Sequence, residues 1–397
     1  MRRISILVAI FLLILVGVGL YFFLQPKITT STDENSVTDF FSSLFPFGNS
    51  GGEDSITDGT PGTGGEENTE IGTPAPVRQI SMEMVSGARF INVGSSTPLI
   101  RFVERKSGHV YDMPADSYTA TRITNTTVPG IHRVTWLSDT TLLLQSLSTE
   151  NTPENFLGRI STTTQTLSGT PLSGFARSSV KGDGTLVLAT ERDSGVLVET
   201  ARADGSARQT LFASPLRSWV PLAGGGKVFL QTAPSATTPG FLYELNSGTL
   251  TKIVGDVNGL MALVSPSGRY VAYSALGGTV FRVIDIEKKN FYEIPVRTMA
   301  TKCAWVPKKE PALICGVPNI YGPGSYPDDW LLGKAVTTDA LWYIDPIIGS
   351  ADTLVNPSAN ANTPVDVTNL TVDATGSYAL FINKIDLSLW NVQLQGN

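Results

Sequence analysis

Few residues in this 397-residue chain have types and spacings that could do chemistry. Asp328 and Asp329 form an acid pair, but adjacent side chains on an extended chain point to opposite sides. General acid–base work would therefore need a partner from elsewhere. A single cation ligand is the other use open to them. Gly48-Asn49-Ser50-Gly51-Gly52 matches the letters of a nucleophile elbow, yet it lies in a low-complexity stretch without the strand and helix that such an elbow requires. Gly224-Gly225-Gly226-Lys227 runs directly into Val228 and reads as a hairpin turn, not a phosphate loop. His109 and His132 fall in turn or surface contexts. Two His and two Cys in the whole chain are too few for a multi-ligand zinc or iron–sulfur site, so no metal and no cofactor is expected and no catalytic residue is assigned.

The cysteines suit structure better than redox work. Cys303 and Cys315 flank the turn Pro307–Pro311, and pairing Val306 with Ala312 sets them directly opposite on one face. That leaves either a disulfide or a free buried pair, structural in both cases.

Composition narrows the elements that could position any site. Charged residues are 16% of the chain, hydrophobic ones 41%, and there are 38 Gly and 24 Pro, which argues against coiled-coil or helical architecture. The net charge of −6, without a basic block, argues against nucleic acid as a partner. The acidity is concentrated between Pro26 and Ile80, where nine acidic residues face only Lys27 and Arg78. The rest of the chain is almost neutral.

Ile4 to Leu24 is a 21-residue run without a charge, long enough as a helix to cross ~30 Å of hydrocarbon. Arg2 and Arg3 precede it, so the positive-inside rule keeps residues 1–3 cytoplasmic and exports everything after the span. A cleaved signal peptide is the competing reading, but the run exceeds a signal core of ~7–15 residues and no A-x-A-like site comes after it. Residues 25–76, rich in Gly, Ser, Thr and Pro, read as a flexible acidic linker reaching roughly 40 Å. One apolar cluster interrupts it, Phe40, Phe41, Leu44, Phe45 and Phe47, either a docking segment or a juxtamembrane patch.

Residues 77–397 repeat. Strand-like hexamers begin at Ala88, Thr141, Thr185, Lys227, Arg269, Pro311 and Ser377, spaced by 53, 44, 42, 42, 42 and 66 residues. Five residues before each start the column reads Glu83, Trp136, Val180, Leu222, Val264, Val306 and Val372. Further strands come after each hexamer, as at Gly195–Glu199, Gly240–Leu245 and Val280–Ile286. Four strands per ~42 residues, seven times over, predict an all-β, seven-bladed β-propeller. The nearly continuous apolar runs suit sheets covered on both faces. The final blade lacks a fourth strand, and Val77–Ser81 is expected to supply it and close the ring.

Ser265-Pro266-Ser267-Gly268-Arg269-Tyr270 resembles the S-P-D-G-R-Y repeat of TolB-like propellers, with Ser267 where Asp is usual. Lys181-Gly182-Asp183-Gly184 and Asp373-Ala374-Thr375-Gly376-Ser377-Tyr378 are looser copies. The architecture is also WD40-like, without the Gly-His and Trp-Asp pairs of those repeats. As a whole it is similar to bacterial single-pass membrane-anchored propeller proteins that have no assigned activity. The resemblance implies the fold and a tendency to bind proteins.

The 66-residue spacing marks an insertion, 317–338, between the second and third strands of blade six. Tyr321, Tyr326, Asp328, Asp329 and Trp330 are its binding candidates, because Tyr and Trp are enriched at interface hot spots. The competing reading is that Tyr326 and Trp330 merely pin the loop onto blade six. The functional expectation is a membrane-anchored, extracytoplasmic module that binds a protein or envelope polymer on its loop-rich face. The alternatives are a glycan hydrolase or lyase with acids around the central channel, and a spacer subunit of an envelope assembly.

Overall fold

The computed structural model describes residues 77–394 apart from 92–93, 95–96, 149–151 and 173. The expected span at 4–24 and linker at 25–76 lie outside the described residues. Among those described, no helix is long and apolar enough to cross a membrane. The chain divides at Thr69/Glu70 into two units, and the propeller belongs to the second.

Seven antiparallel four-stranded sheets succeed one another along the chain. Their inner strands are Val85–Ile91, Arg133–Trp136, Arg177–Val180, Trp219–Gly224, Met261–Val264, Cys303–Trp305 and Val367–Val372. Neighbouring inner strands touch around a ring, the seventh meeting the first, and the 3-10 turn Ala300–Lys302 carries the contact from blade five into blade six. The ring is closed by Val77–Gln79, which pairs with Leu389–Gln393 in the register Val77↔Val392 and Gln79↔Trp390. Val77 is buried in the blade-seven core, and the Arg78 guanidinium donates to the carbonyls of Ala115 and Ser117 in blade one.

Among the described residues, seven apolar clusters lie one at each junction between neighbouring blades. This explains the uninterrupted apolar runs. In Thr141–Leu147, Leu142 and Leu144 face blade one, and Leu143 faces blade three. In Leu186–Arg192, Leu186 and Leu188 pack toward blade two, while Val187 and Ala189 pack toward blade four. Successive side chains alternate between faces, and both faces are buried, so consecutive positions are apolar where a soluble sheet would alternate.

The repeat phase needs one correction. Ala88 lies in the inner strand of blade one, whereas the other six hexamers occupy second strands. The matching strand of blade one is Leu99–Glu104. A copy starting at Pro98 stands 43 residues before Thr141, so the first spacing matches the 42 to 44 of the four after it. The seven-residue inner strand of blade one, against four in blade two, imitated the second-strand pattern.

The turns conform to their sequences. Gly225 and Gly226 have φ of +55° and +76°, as a two-residue hairpin turn demands, and the Gly225 amide donates to Pro266 O of the next blade (2.8 Å). A Cβ on Gly225 would lie 1.8 Å from Ser267 O, so only glycine allows the two turns to touch. In the motif-bearing turn Ser265 accepts from the Tyr270 amide (3.1 Å), and in blade seven Asp373 does the same for Tyr378 (2.6 Å).

Candidate functional site

Loops joining second to third strands, and those joining blade to blade, share one end of the ring because each sheet is an antiparallel meander. The insertion belongs to this end. The flanking strands of blade six, Leu313–Tyr321 and Thr337–Asp345, continue outward as a ribbon to the pair Tyr321↔Thr337. The chain then turns over the neighbouring blades.

Each expected site residue has a definite place. Tyr321 packs edge to face on Tyr326, with ring centres 5.1 Å apart, and donates to Arg297 O (3.3 Å). Burial pushes its phenol up to about 12, so it stays a donor. The Tyr326 hydroxyl reaches the carbonyls of Gly322 (3.1 Å) and Val336 (3.0 Å), tying the loop's two ends together. Gly277 of blade five, at φ +67°, leaves room for the Tyr326 Cβ, which would stand 2.7 Å from a Cβ there. Asp328 and Asp329 open a short helix, Asp328–Leu331, instead of an extended segment. They still diverge: Asp328 accepts from the Ala236 amide in blade four (2.9 Å), and Asp329 from Ser325 within the loop (2.7 Å). Trp330 is buried with Met261 and Met299. Its indole N–H donates to Asp366 at the entrance to blade seven (2.9 Å). The insertion is therefore pinned to blades four, five and seven, a wider footing than blade six alone.

Beneath Trp330 lies a group that the sequence did not suggest as a unit. Lys302 ends the 3-10 turn before the inner strand of blade six, Asp339 sits in that blade's third strand, and Asp366 precedes the inner strand of blade seven. All three are completely buried. Lys302 Nζ donates to Asp339 Oδ2 (2.6 Å), to Thr337 Oγ1 (2.8 Å) and to Asp366 Oδ1. Asp366 Oδ2 also accepts from the Thr337 amide (3.0 Å). Asp339 Oδ2 accepts from the Val367 amide (2.7 Å), while its Oδ1 has no partner. Burial pushes the Asp339 carboxyl up; Lys302 opposes this and Asp366 adds to it. Lys302 and Lys384 each stand 5.0 Å from the Trp330 ring centre. The available signal was a lone charge inside each apolar stretch, Thr-Lys-Cys-Ala-Trp, Thr-Asp-Ala-Leu-Trp and Val-Asp-Val.

These two acids converge at the junction of blades six and seven, but both are completely buried and no solvent-borne substrate reaches them under Trp330. Among the described residues no group of three or more His, Cys, Asp or Glu could hold a metal ion. His109 hydrogen-bonds Thr127 (3.3 Å), and His132 leads into the inner strand of blade two. Cys303 and Cys315 are paired in register and joined in a disulfide, with Cα atoms 4.0 Å apart.

The insertion exposes apolar groups that sequence reasoning passed over. Ile320, Leu331, Leu332 and Val336 are 62%, 46%, 67% and 40% exposed. Exposed Leu147 at a strand end, and Leu216, Leu276 and Ile385 between strands, lie at the same end, whereas Ile347 and Ile348 mark the other.

No protein-family model matches the chain, and no curated protein does. Among solved structures it is similar to hydrazine synthase of Kuenenia stuttgartiensis (12% identity, 84% of this chain and 100% of that one, TM-score 0.51). It is also similar to the RRP9 WD40 repeats (11%, 82% and 100%, 0.50). The tricorn protease matches at 12% identity over 82% of this chain, which spans about a third of that protein (34%, 0.50). At such identities the likeness concerns architecture: the chain has the fold of a seven-bladed β-propeller.

Proposed function

We propose that this propeller is a membrane-tethered, extracytoplasmic binding module that takes a protein partner on its loop-rich end. The observation carrying this reading is the insertion itself. Its backbone is held by Asp328, Tyr326 and Trp330 while Leu331, Leu332, Val336 and Ile320 project into solvent. Apolar side chains held outward on a rigid support stabilise an interface without the entropic cost of ordering a loop. Protein surfaces bury such groups more readily than a hydroxyl-rich envelope polymer does. Tyr321, Tyr326, Asp328 and Asp329, half-buried around the loop, supply the polar edge. The apolar run 4–24 behind Arg2 and Arg3, and the linker 25–76, support the tether; the disulfide suits an oxidising compartment.

The test compares cross-linked partners recovered from native membranes with wild type and with the double variant Leu331→Asp, Leu332→Asp. These side chains carry little of the fold, so the melting temperature should hold while recovery falls at least about tenfold, as expected for loss of an interface anchor. Unchanged recovery overturns the reading. A polysaccharide in the captured fraction, with no protein lost, assigns the site to envelope polymer.

A further inference from the structure

We propose that Lys302 and Asp366 become joined by an amide bond, formed by the chain on itself, which ties blade six covalently to blade seven where the two blades meet. The groups are already assembled. Lys302 Nζ lies against Asp366 Oδ1, with both residues completely buried and 64 positions apart in sequence. The other oxygen of Asp366 receives two N–H donors, the Thr337 amide at 3.0 Å and the Trp330 indole at 2.9 Å. Two fixed donors on one carboxyl oxygen are what a tetrahedral intermediate needs as negative charge develops there. Asp339 is the proton carrier. Its Oδ2 contacts the amine at 2.6 Å, and its Oδ1 is buried without a partner.

The step balances without oxidant or reductant. The Nζ lone pair attacks Cγ of Asp366, forming one N–C bond. Asp366 Oδ1 carries the proton given up when Lys302 becomes a neutral amine; Asp339 takes a second proton from the attacking nitrogen and passes it to Asp366 Oδ1, the Cγ–Oδ1 bond breaks, and one water leaves. The surroundings favour this direction. Burial pushes the Asp339 carboxyl up, in keeping with a group that holds a proton between transfers. Trp330, Met261 and Met299 exclude the water that would reverse the bond. Condensation also removes two charges from a site where charge is poorly solvated. The donors decide for Asp366 over Asp339: Asp366 has both its oxygens engaged for the intermediate, while Asp339 keeps one free.

Mass spectrometry of the full chain, purified in detergent, tests this. The expected result is a mass below the sequence value by one water beyond the two hydrogens of the disulfide. Proteolysis should yield one branched peptide joining the Lys302 and Asp366 segments, stable to reduction and denaturant. Recovery of both segments as linear, unmodified peptides from wild type overturns the proposal. Dehydration at any other site does the same. Asp339→Asn, close in shape, should leave the chain folded by circular dichroism and restore the missing water. A folded Asp339→Asn chain that is still fully linked overturns the proton-carrier role.

Discussion

Until an amide forms, Lys302 is one amine set between two carboxyl groups where solvent does not reach. Such a group is stable only as a whole. Removing one partner leaves a buried charge uncompensated, at about 3–5 kcal/mol. Asp339 bears the strain most visibly, with one oxygen unpaired and its carboxyl pushed up by burial. A carboxyl whose folded pKa exceeds its unfolded value favours folding most below the ordinary carboxylate range. That contribution is lost as pH rises through the raised value. Lys302, Asp366 and Thr337 face this carboxyl, and none removes the penalty. The melting temperature of wild type should therefore fall relative to Asp339→Asn as pH is raised from about 4 toward neutrality. The slope of that difference is the readout, since the offset also includes lost contacts. A difference that does not change with pH would show that Asp339 ionises freely.

At the scale of the strand, the closing element decides whether seven sheets make a ring. Val77–Gln79 is three residues long, yet it covers the edge of Leu389–Gln393 and sends Arg78 across to blade one. Without it the last blade exposes unpaired backbone, and Val77 leaves the core. Burying Val77 and keeping its ladder and Arg78 bonds contribute about 3–5 kcal/mol together. Deleting residues through Ser81 should thus lower the melting temperature by about 4–8 °C, whereas deletion through Pro74 should leave it unchanged. Thermal denaturation of the two truncated chains is the check, and equal stability would show that the ring does not depend on this strand.

Over the whole molecule, the seven interblade cores make a rigid platform, and chain length was added almost entirely at one end of it. Loops on a rigid scaffold can vary without disturbing the cores, which is why binding is expected there. The proposed tether adds a geometric demand: the platform stands on the side opposite Arg2 and Arg3. A reporter active only outside the cytoplasm, fused after Asn397, should be active in intact cells. The same reporter active only when retained in the cytoplasm would reverse the topology.

The repeat, its blade count, the closing strand's location and the cysteine register were legible in sequence. Each rests on local pattern: alternation between two buried faces, turn residues at fixed offsets, and pairing across one short hairpin. Blade one shows the limit, because an inner strand and a second strand share the same apolar signature and only pairing tells them apart. The insertion was visible as excess length, and Tyr326 and Trp330 as its aromatic residues. That Trp330 faces inward while Leu331 and Leu332 face out was decided by the short helix and by Asp366, 36 residues away. The cluster of Lys302, Asp339 and Asp366 was beyond local pattern altogether. Its members come from two blades, and charges separated along the chain acquire a common environment only when closing the ring strips away their water.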